Sequence, residues 1–228
     1  MSAQIAVVVF PGTNCEHDVV QALDRLGAHA DLVWHGADHL DGYDAVVLPG
    51  GFAHGDYLRP GALARFSTVM AAVGQFAAAG GPVVGICNGF QVLTEAGLLP
   101  GALQKNAGLR FLCTTVRLEV CSRRSPLTAT VPVGTELAIP INHFEGNFTC
   151  DPATLAELRA DDRIVLRYVD NPNGSVDAIA AVTNAAGNVV GLMPHPERAS
   201  DPLLGSTDGV VLLESLLATV GQPVTPVG

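Results

Sequence analysis

The stretch Gly80-Gly81-Pro82-Val83-Val84-Gly85-Ile86-Cys87-Asn88-Gly89-Phe90-Gln91-Val92-Leu93 leaves this chain few folds to choose from. A Gly-Gly-Pro turn leads into a short apolar run, Val83 to Ile86, that reads as a buried strand. A cysteine then falls between Gly85 and Gly89, and Phe90 and Leu93 lie on the apolar face of the helix that follows. Strand, sharp turn and helix in that order make a nucleophile elbow, with sulfur where hydrolases carry a serine hydroxyl. Glycines suit a turn that brings chain past chain closely or takes positive φ. The helix N-terminus favours thiolate over thiol, and the Asn88 N–H is aimed where an oxyanion would form. The same text also fits a buried structural cysteine, since free cysteines are among the most buried residues.

The rest of the chain repeats the strand–helix rhythm. Residues 5–10 form a continuous apolar strand, and residues 15–26 an amphipathic helix capped by Gly27. Residues 29–34 and 44–48 give two more strands, and short strand–helix–strand links imply right-handed parallel crossovers. A long helix is predicted around residues 62–79. From about Phe111 the pattern changes: residues 114–120 alternate as a half-exposed strand, and short strands follow at 135–141, 164–168, 178–183 and 189–193. A helix at residues 209–220 closes the chain, and the tail from Gln222, with Pro223 and Pro226, reads as frayed. The expectation is one domain over residues 1–228: an α/β, doubly wound, mostly parallel sheet with an antiparallel strand extension.

Composition agrees with that class. Of 228 residues, 48% are hydrophobic and only 15% charged, as buried parallel strands require. A net charge of −10 makes free nucleic acid an unsuitable partner. The five cysteines, at positions 15, 87, 113, 121 and 150, form no CxxC pair, so neither a zinc knuckle nor a disulfide framework is expected. The start, Met1-Ser2-Ala3-Gln4, lacks the basic region of a signal peptide, and no apolar run is long enough to span a bilayer. A reducing cytoplasm, without membrane contact, is the expected compartment.

Two further motifs fall at predicted strand ends, on the sheet edge where Cys87 lies. Pro49-Gly50-Gly51 can present a backbone N–H to an anion, although it also fits a plain turn. Pro194-His195-Pro196-Glu197 places His195 and Glu197 two residues apart, so an extended backbone projects both to one face. A carboxylate accepting the imidazole N–H fixes its tautomer and supports its positive charge, which suits a base for a thiol nucleophile. His35 and His39 have helical spacing, but Gly36 and the turn that follows argue against a metal site, and none is expected. Cys15, Cys113, Cys121 and Cys150 read as thiols without a role.

Together, Pro49-Gly50-Gly51, Gly85-Ile86-Cys87-Asn88-Gly89-Phe90-Gln91 and Pro194-His195-Pro196-Glu197 resemble the three signatures of class I (triad) glutamine amidotransferases. Further text, including residues 9–15, 50–59, 61–66, 93–101 and 173–175, resembles the glutaminase subunits of phosphoribosylformylglycinamidine synthase over residues 5–217. The resemblance implies a flavodoxin-like fold and catalytic roles for Cys87, His195 and Glu197. It implies that Gly51 and Asn88 supply oxyanion N–H groups and that Gln91 helps hold glutamine. It also implies ammonia transfer to a large (PurL-type) synthetase subunit, with a small (PurS-type) third subunit. No cofactor is implied in this chain; ATP and Mg belong to the synthetase. Asp56, Arg59 and Arg65 are candidates for docking it, with solvated charges the plain alternative.

The text departs from that pattern at two places. Ala53-His54 replace the usual Ser-Tyr, and Phe144, within His143-Phe144-Glu145, stands where glycine is typical, which puts a backbone contact there in doubt. His143 and Glu145 fit a polar pocket wall or an interface equally well. Two other readings stay open: a different elbow enzyme, such as a cysteine peptidase or chaperone, and a binding module that keeps only the fold.

Overall fold

The computed structural model describes residues 2–220, so the tail expected to fray lies outside the described residues. Strands β1 (Gln4–Val9), β2 (His29–Trp34), β3 (Ala45–Leu48) and β4 (Val83–Ile86) alternate with helices α1 (Glu16–Arg25) and α2 (Thr68–Ala78), and α3 (Asn88–Glu95) follows β4. The second half carries β5 (Ala102–Gln104), β6 (Leu112–Val120), β7 (Glu136–His143), β8 (Asn147–Thr149) and α4 (Pro152–Ala160). It closes with β9 (Ile164–Tyr168), β10 (Ile179–Thr183), β11 (Val189–Leu192) and α5 (Asp208–Thr219).

Nine strands make one sheet in the order β2-β1-β3-β4-β11-β10-β9-β6-β7. The first five are mutually parallel, and β10, β9, β6 and β7 extend them antiparallel. This is the predicted doubly wound sheet with its extension. Every residue of β3, β4 and β11 is buried, because helices cover both faces there. Along β6 and β7 burial alternates, with one face toward solvent. One apolar core runs through both regions, from Ile5 to Leu216. No helix among the described residues is long and apolar enough to cross a membrane.

Two expectations need correction. The long helix over residues 62–79 is shorter: α2 starts at Thr68, after extended Ser67 (ψ 146°) and a single 3-10 turn at Ala64–Phe66. Gly61 sets that path, for a Cβ there would lie 2.7 Å from the Val92 nitrogen as the chain crosses α3. α4 and the small β5–β8 pair were not expected. The start of α4 was nevertheless written in Asp151-Pro152, where the Asp151 carboxylate accepts the N–H groups of Ala153 and Thr154.

Gly89 and Gly74 make a matched test of what glycine does here. A Cβ at Gly89 would fall 1.9 Å from the Leu48 carbonyl oxygen, whereas one at Gly74, inside α2, meets nothing within 4 Å. Urea unfolding should show Gly89→Ala destabilised by about 3 kcal/mol and Gly74→Ala stabilised by roughly 0.5–1 kcal/mol. Equal effects at the two positions would contradict this packing.

Candidate active site

Four parallel strands release their C-terminal loops at one edge of the sheet. β1 leads to Cys15, β3 to Gly50 and Gly51, β4 to Cys87 and β11 to His195. The convergence is tight. A Cβ placed on Gly50 would lie 2.8 Å from the His195 Cε1, 3.1 Å from the Cys15 Sγ and 3.5 Å from the Cys87 Cβ. Only glycine leaves room for these three side chains to meet.

Cys87 has φ 51° and ψ −104°, a strained conformation that non-glycine residues rarely adopt. Its N–H donates to the Leu192 carbonyl at 2.8 Å, tying the elbow to the strand that delivers His195. The His195 N–H donates in turn to the Pro140 carbonyl of β7 at 2.9 Å. His195 and Glu197 are both buried, with Nδ1 2.6 Å from the Glu197 Oε1. Nε2 makes no hydrogen bond; the Cys87 and Cys15 sulfurs lie beside it without bonding geometry, close enough to act on its charge. Burial alone lowers the His195 pKa, but the charges of Glu197 and Cys87 outweigh it, and the imidazole is held well above the usual 6.5.

Gly51 and Asn88 supply the backbone N–H groups singled out above. Around Gly51, the bridge to Thr13 is closed by Asn14 N–H to Gly50 oxygen and Phe52 N–H to Gly12 oxygen, which leaves the Gly51 N–H out of the ladder. Asn88 opens α3, where geometry gives its N–H no acceptor inside the helix. The Asn88 side chain is a brace: Oδ1 accepts the Ala53 N–H at 2.9 Å, and Nδ2 donates to Asp56 at 3.0 Å and to the Gln91 Oε1 at 2.8 Å. Burial pushes the Asp56 carboxyl up to about 6 against the pull of that bond. Gln91 also donates through Nε2 to the Glu145 carbonyl.

A cavity of about 380 Å³ opens over these groups, bounded by Gly51, Cys87, Gln91, His143, Glu145 and His195. Arg59, which also lines the cavity, bonds the Glu95 carboxylate, and Arg65, outside it, bonds the Glu95 carbonyl. His54, at the Ser-Tyr departure, packs on Phe10 and on His35 and lies 3.3 Å from the Ser67 Oγ, pinning the loop after Gly51 to the start of α2. Phe144 has no left-handed backbone, and its carbonyl accepts the Asn106 N–H at 2.9 Å, so the backbone does not require glycine there.

The sequence reading missed two participants. Cys15, read as a thiol without a role, lies in the site, with its Sγ, a His195 nitrogen and a Glu197 oxygen all within 4.8 Å of one another. The Arg198 Nη2 donates to that sulfur at 3.1 Å. The available signal was positional: Cys15 follows a central strand, as Cys87 does. Asn106 is the second, buried and bonded to His143, Gly146 and Arg110. Nothing local in the sequence marks it.

The profile of the CobB/CobQ-like glutamine amidotransferase domain matches residues 2–208. The chain belongs to that family. It is 58% identical over 215 residues to the phosphoribosylformylglycinamidine synthase subunit PurQ of Rubrobacter xylanophilus, covering 94% of this chain and 98% of that protein. Among solved structures, a chain of PurLQS from Thermotoga maritima superposes with a TM-score of 0.89 at 42% identity, over 96% of this chain and 99% of that one. A GMP-synthase-type protein from Thermoplasma acidophilum shares the fold, with a TM-score of 0.65 at 18% identity over 96% of each chain.

The buried His143 yields a pH test. Burial, and then the nearby His195 charge, lower its pKa to about 4 from 6.5. Between those values the unfolded chain binds a proton that the folded protein refuses, so stability falls as pH drops from 6.5 toward 4. In urea unfolding between pH 7 and 4.5, wild type should lose about 2 kcal/mol more than His143→Gln. Parallel curves would show that the buried imidazole is not held neutral.

Proposed function

We propose that this chain is the glutaminase subunit of phosphoribosylformylglycinamidine synthase, hydrolysing glutamine through Cys87, His195 and Glu197. The observation that carries this reading is the meeting of Cys87 and the buried His195–Glu197 pair beside Gly50, in a chain so similar to PurQ proteins. Residues 1–228 act as one catalytic domain in this reading.

Cys87 Sγ attacks the side-chain carbonyl carbon of glutamine and forms a tetrahedral oxyanion. The N–H groups of Gly51 and Asn88 stabilise it, being free of other backbone acceptors. His195, charged through Glu197 and Cys87, gives the Nε2 proton to the departing nitrogen, releasing ammonia and leaving a γ-glutamyl thioester. The same nitrogen then takes a proton from water, which attacks the thioester and frees glutamate. Glu197 keeps Nδ1 protonated and Nε2 on the reacting side throughout. Gln91, fixed by Asn88 and Glu145, forms part of the glutamine-binding wall.

The ammonia passes to a PurL-type synthetase, where formylglycinamide ribonucleotide becomes the amidine in purine synthesis, with a PurS-type subunit completing the assembly. This extends to the present chain what the name PurLQS says of the Thermotoga complex. ATP and Mg act on the synthetase, and the assembly works in the cytoplasm. The exposed side chains of Phe52, Tyr57 and Leu58, beside the cavity mouth, supply apolar surface for that docking.

In the assembled complex, Cys87→Ser should abolish glutamine-dependent synthesis while synthesis from added ammonium persists; continued use of glutamine would remove Cys87 from its role. Glu197→Gln should lower kcat with glutamine at least ~100-fold, again sparing ammonium. A loss of both activities would place Glu197 in structural support instead.

A further inference from the structure

Resting on the glutaminase reading, the geometry points to His143 as the residue that recognises the carboxamide NH2 of glutamine and so separates glutamine from glutamate. His143 ends β7 and is 4% exposed. Its tautomer follows from its neighbours. Asn106 Nδ2 donates to the Arg110 carbonyl at 2.9 Å and to the His143 carbonyl at 3.0 Å, so the Asn106 Oδ1 is the accepting edge. That oxygen takes the Gly146 N–H at 3.2 Å and lies 3.1 Å from the His143 Nδ1, which must carry the ring proton. The imidazole is neutral at physiological pH, so Nε2 keeps a bare lone pair.

That nitrogen is buried and has no protein partner. A neutral nitrogen left so costs stability unless a ligand satisfies it. Gly146 packs closely against one face of the ring, where a Cβ would be 2.3 Å from the His143 Cε1. It bounds the same cavity as Cys87, Gln91 and His195. The preceding residue, Asn142, sets its carbonyl 3.8 Å from the Cys87 Sγ, so the end of β7 stands next to the nucleophile. His195 is near enough for its charge to act on His143.

A group held between Cys87 and His195 therefore meets an acceptor with no proton to give. The carboxamide of glutamine brings two N–H donors to it. The carboxylate of glutamate brings none and would set lone pair against lone pair. His143 thus contacts the nitrogen that leaves as ammonia, and it takes no proton itself.

The test compares glutamine with γ-glutamyl methyl ester, whose leaving group has no N–H, in the assembled complex. His143→Asn keeps a donor for Asn106 and removes the acceptor. It should lower the ratio of kcat/KM for glutamine to that for the ester about tenfold or more. His143→Gln, which returns an oxygen near the place of Nε2, should recover part of that ratio. An unchanged ratio, including a parallel loss on both substrates, would overturn the assignment. Wild-type complex inactive on both substrates would instead sink the glutaminase reading. An independent measurement leaves His143 intact: in Cys87→Ala protein, saturating glutamine should shift the His143 Nε2 nitrogen resonance and glutamate should not. No glutamine-induced shift would overturn the proposal as well.

Discussion

The structure depends on a close approach between backbone segments at the elbow. Cys87 holds a positive φ that costs on the order of 1–3 kcal/mol for a residue with a side chain. It persists because the chain around it is over-determined. A Cβ on Gly85 would lie 2.7 Å from the Gly89 carbonyl carbon, and one on Gly89 would strike the Leu48 carbonyl. Helix α3 is thus pressed onto β3 and β4 so closely that only hydrogen fits. The strain is stored where the thiol must stand clear of the strand and at the start of the helix.

That placement decides the electrostatics. A buried imidazole loses the hydration of its charged form, which alone would leave His195 neutral. The Glu197 carboxylate at 2.6 Å reverses the balance, with Cys87 adding to it. One cavity therefore contains two imidazoles in opposite states. His195 is held charged by anions; His143 is held neutral by burial and by that same charge, while the Asn106 amide oxygen fixes which ring nitrogen carries its proton. In the proposed mechanism the division of labour is chemical: one ring transfers a proton, and the other only accepts a hydrogen bond.

The legible parts of the sequence were those whose causes are local. Residues 29–34, 83–86 and 164–168 were read with their observed bounds, because short apolar runs between turns have few alternatives. Cys87, His195 and Glu197 stood out because chemistry-bearing residues followed such runs among glycines and prolines. Cys15 follows one too, yet its nearness to His195 comes from strand order, which the sequence pattern did not fix. Asn106 was illegible for the same reason: its partner His143 is 37 residues away, joined by side-chain hydrogen bonds. The helix over residues 62–79 was overdrawn because helix propensity carried past Gly61 and Ser67, where packing against α3 sets the path.

The central claim is that position, not thiol content, makes Cys87 the nucleophile, since Cys15 is equally buried and also lies beside His195. The most direct measurement treats the assembled complex with a glutamine-mimicking electrophile and maps the adduct by peptide mass spectrometry. The account predicts stoichiometric modification of Cys87 alone, slowed by competing glutamine and sharply reduced in His195→Ala. Modification of Cys15, or of Cys87 at a rate indifferent to glutamine and to His195, would contradict it.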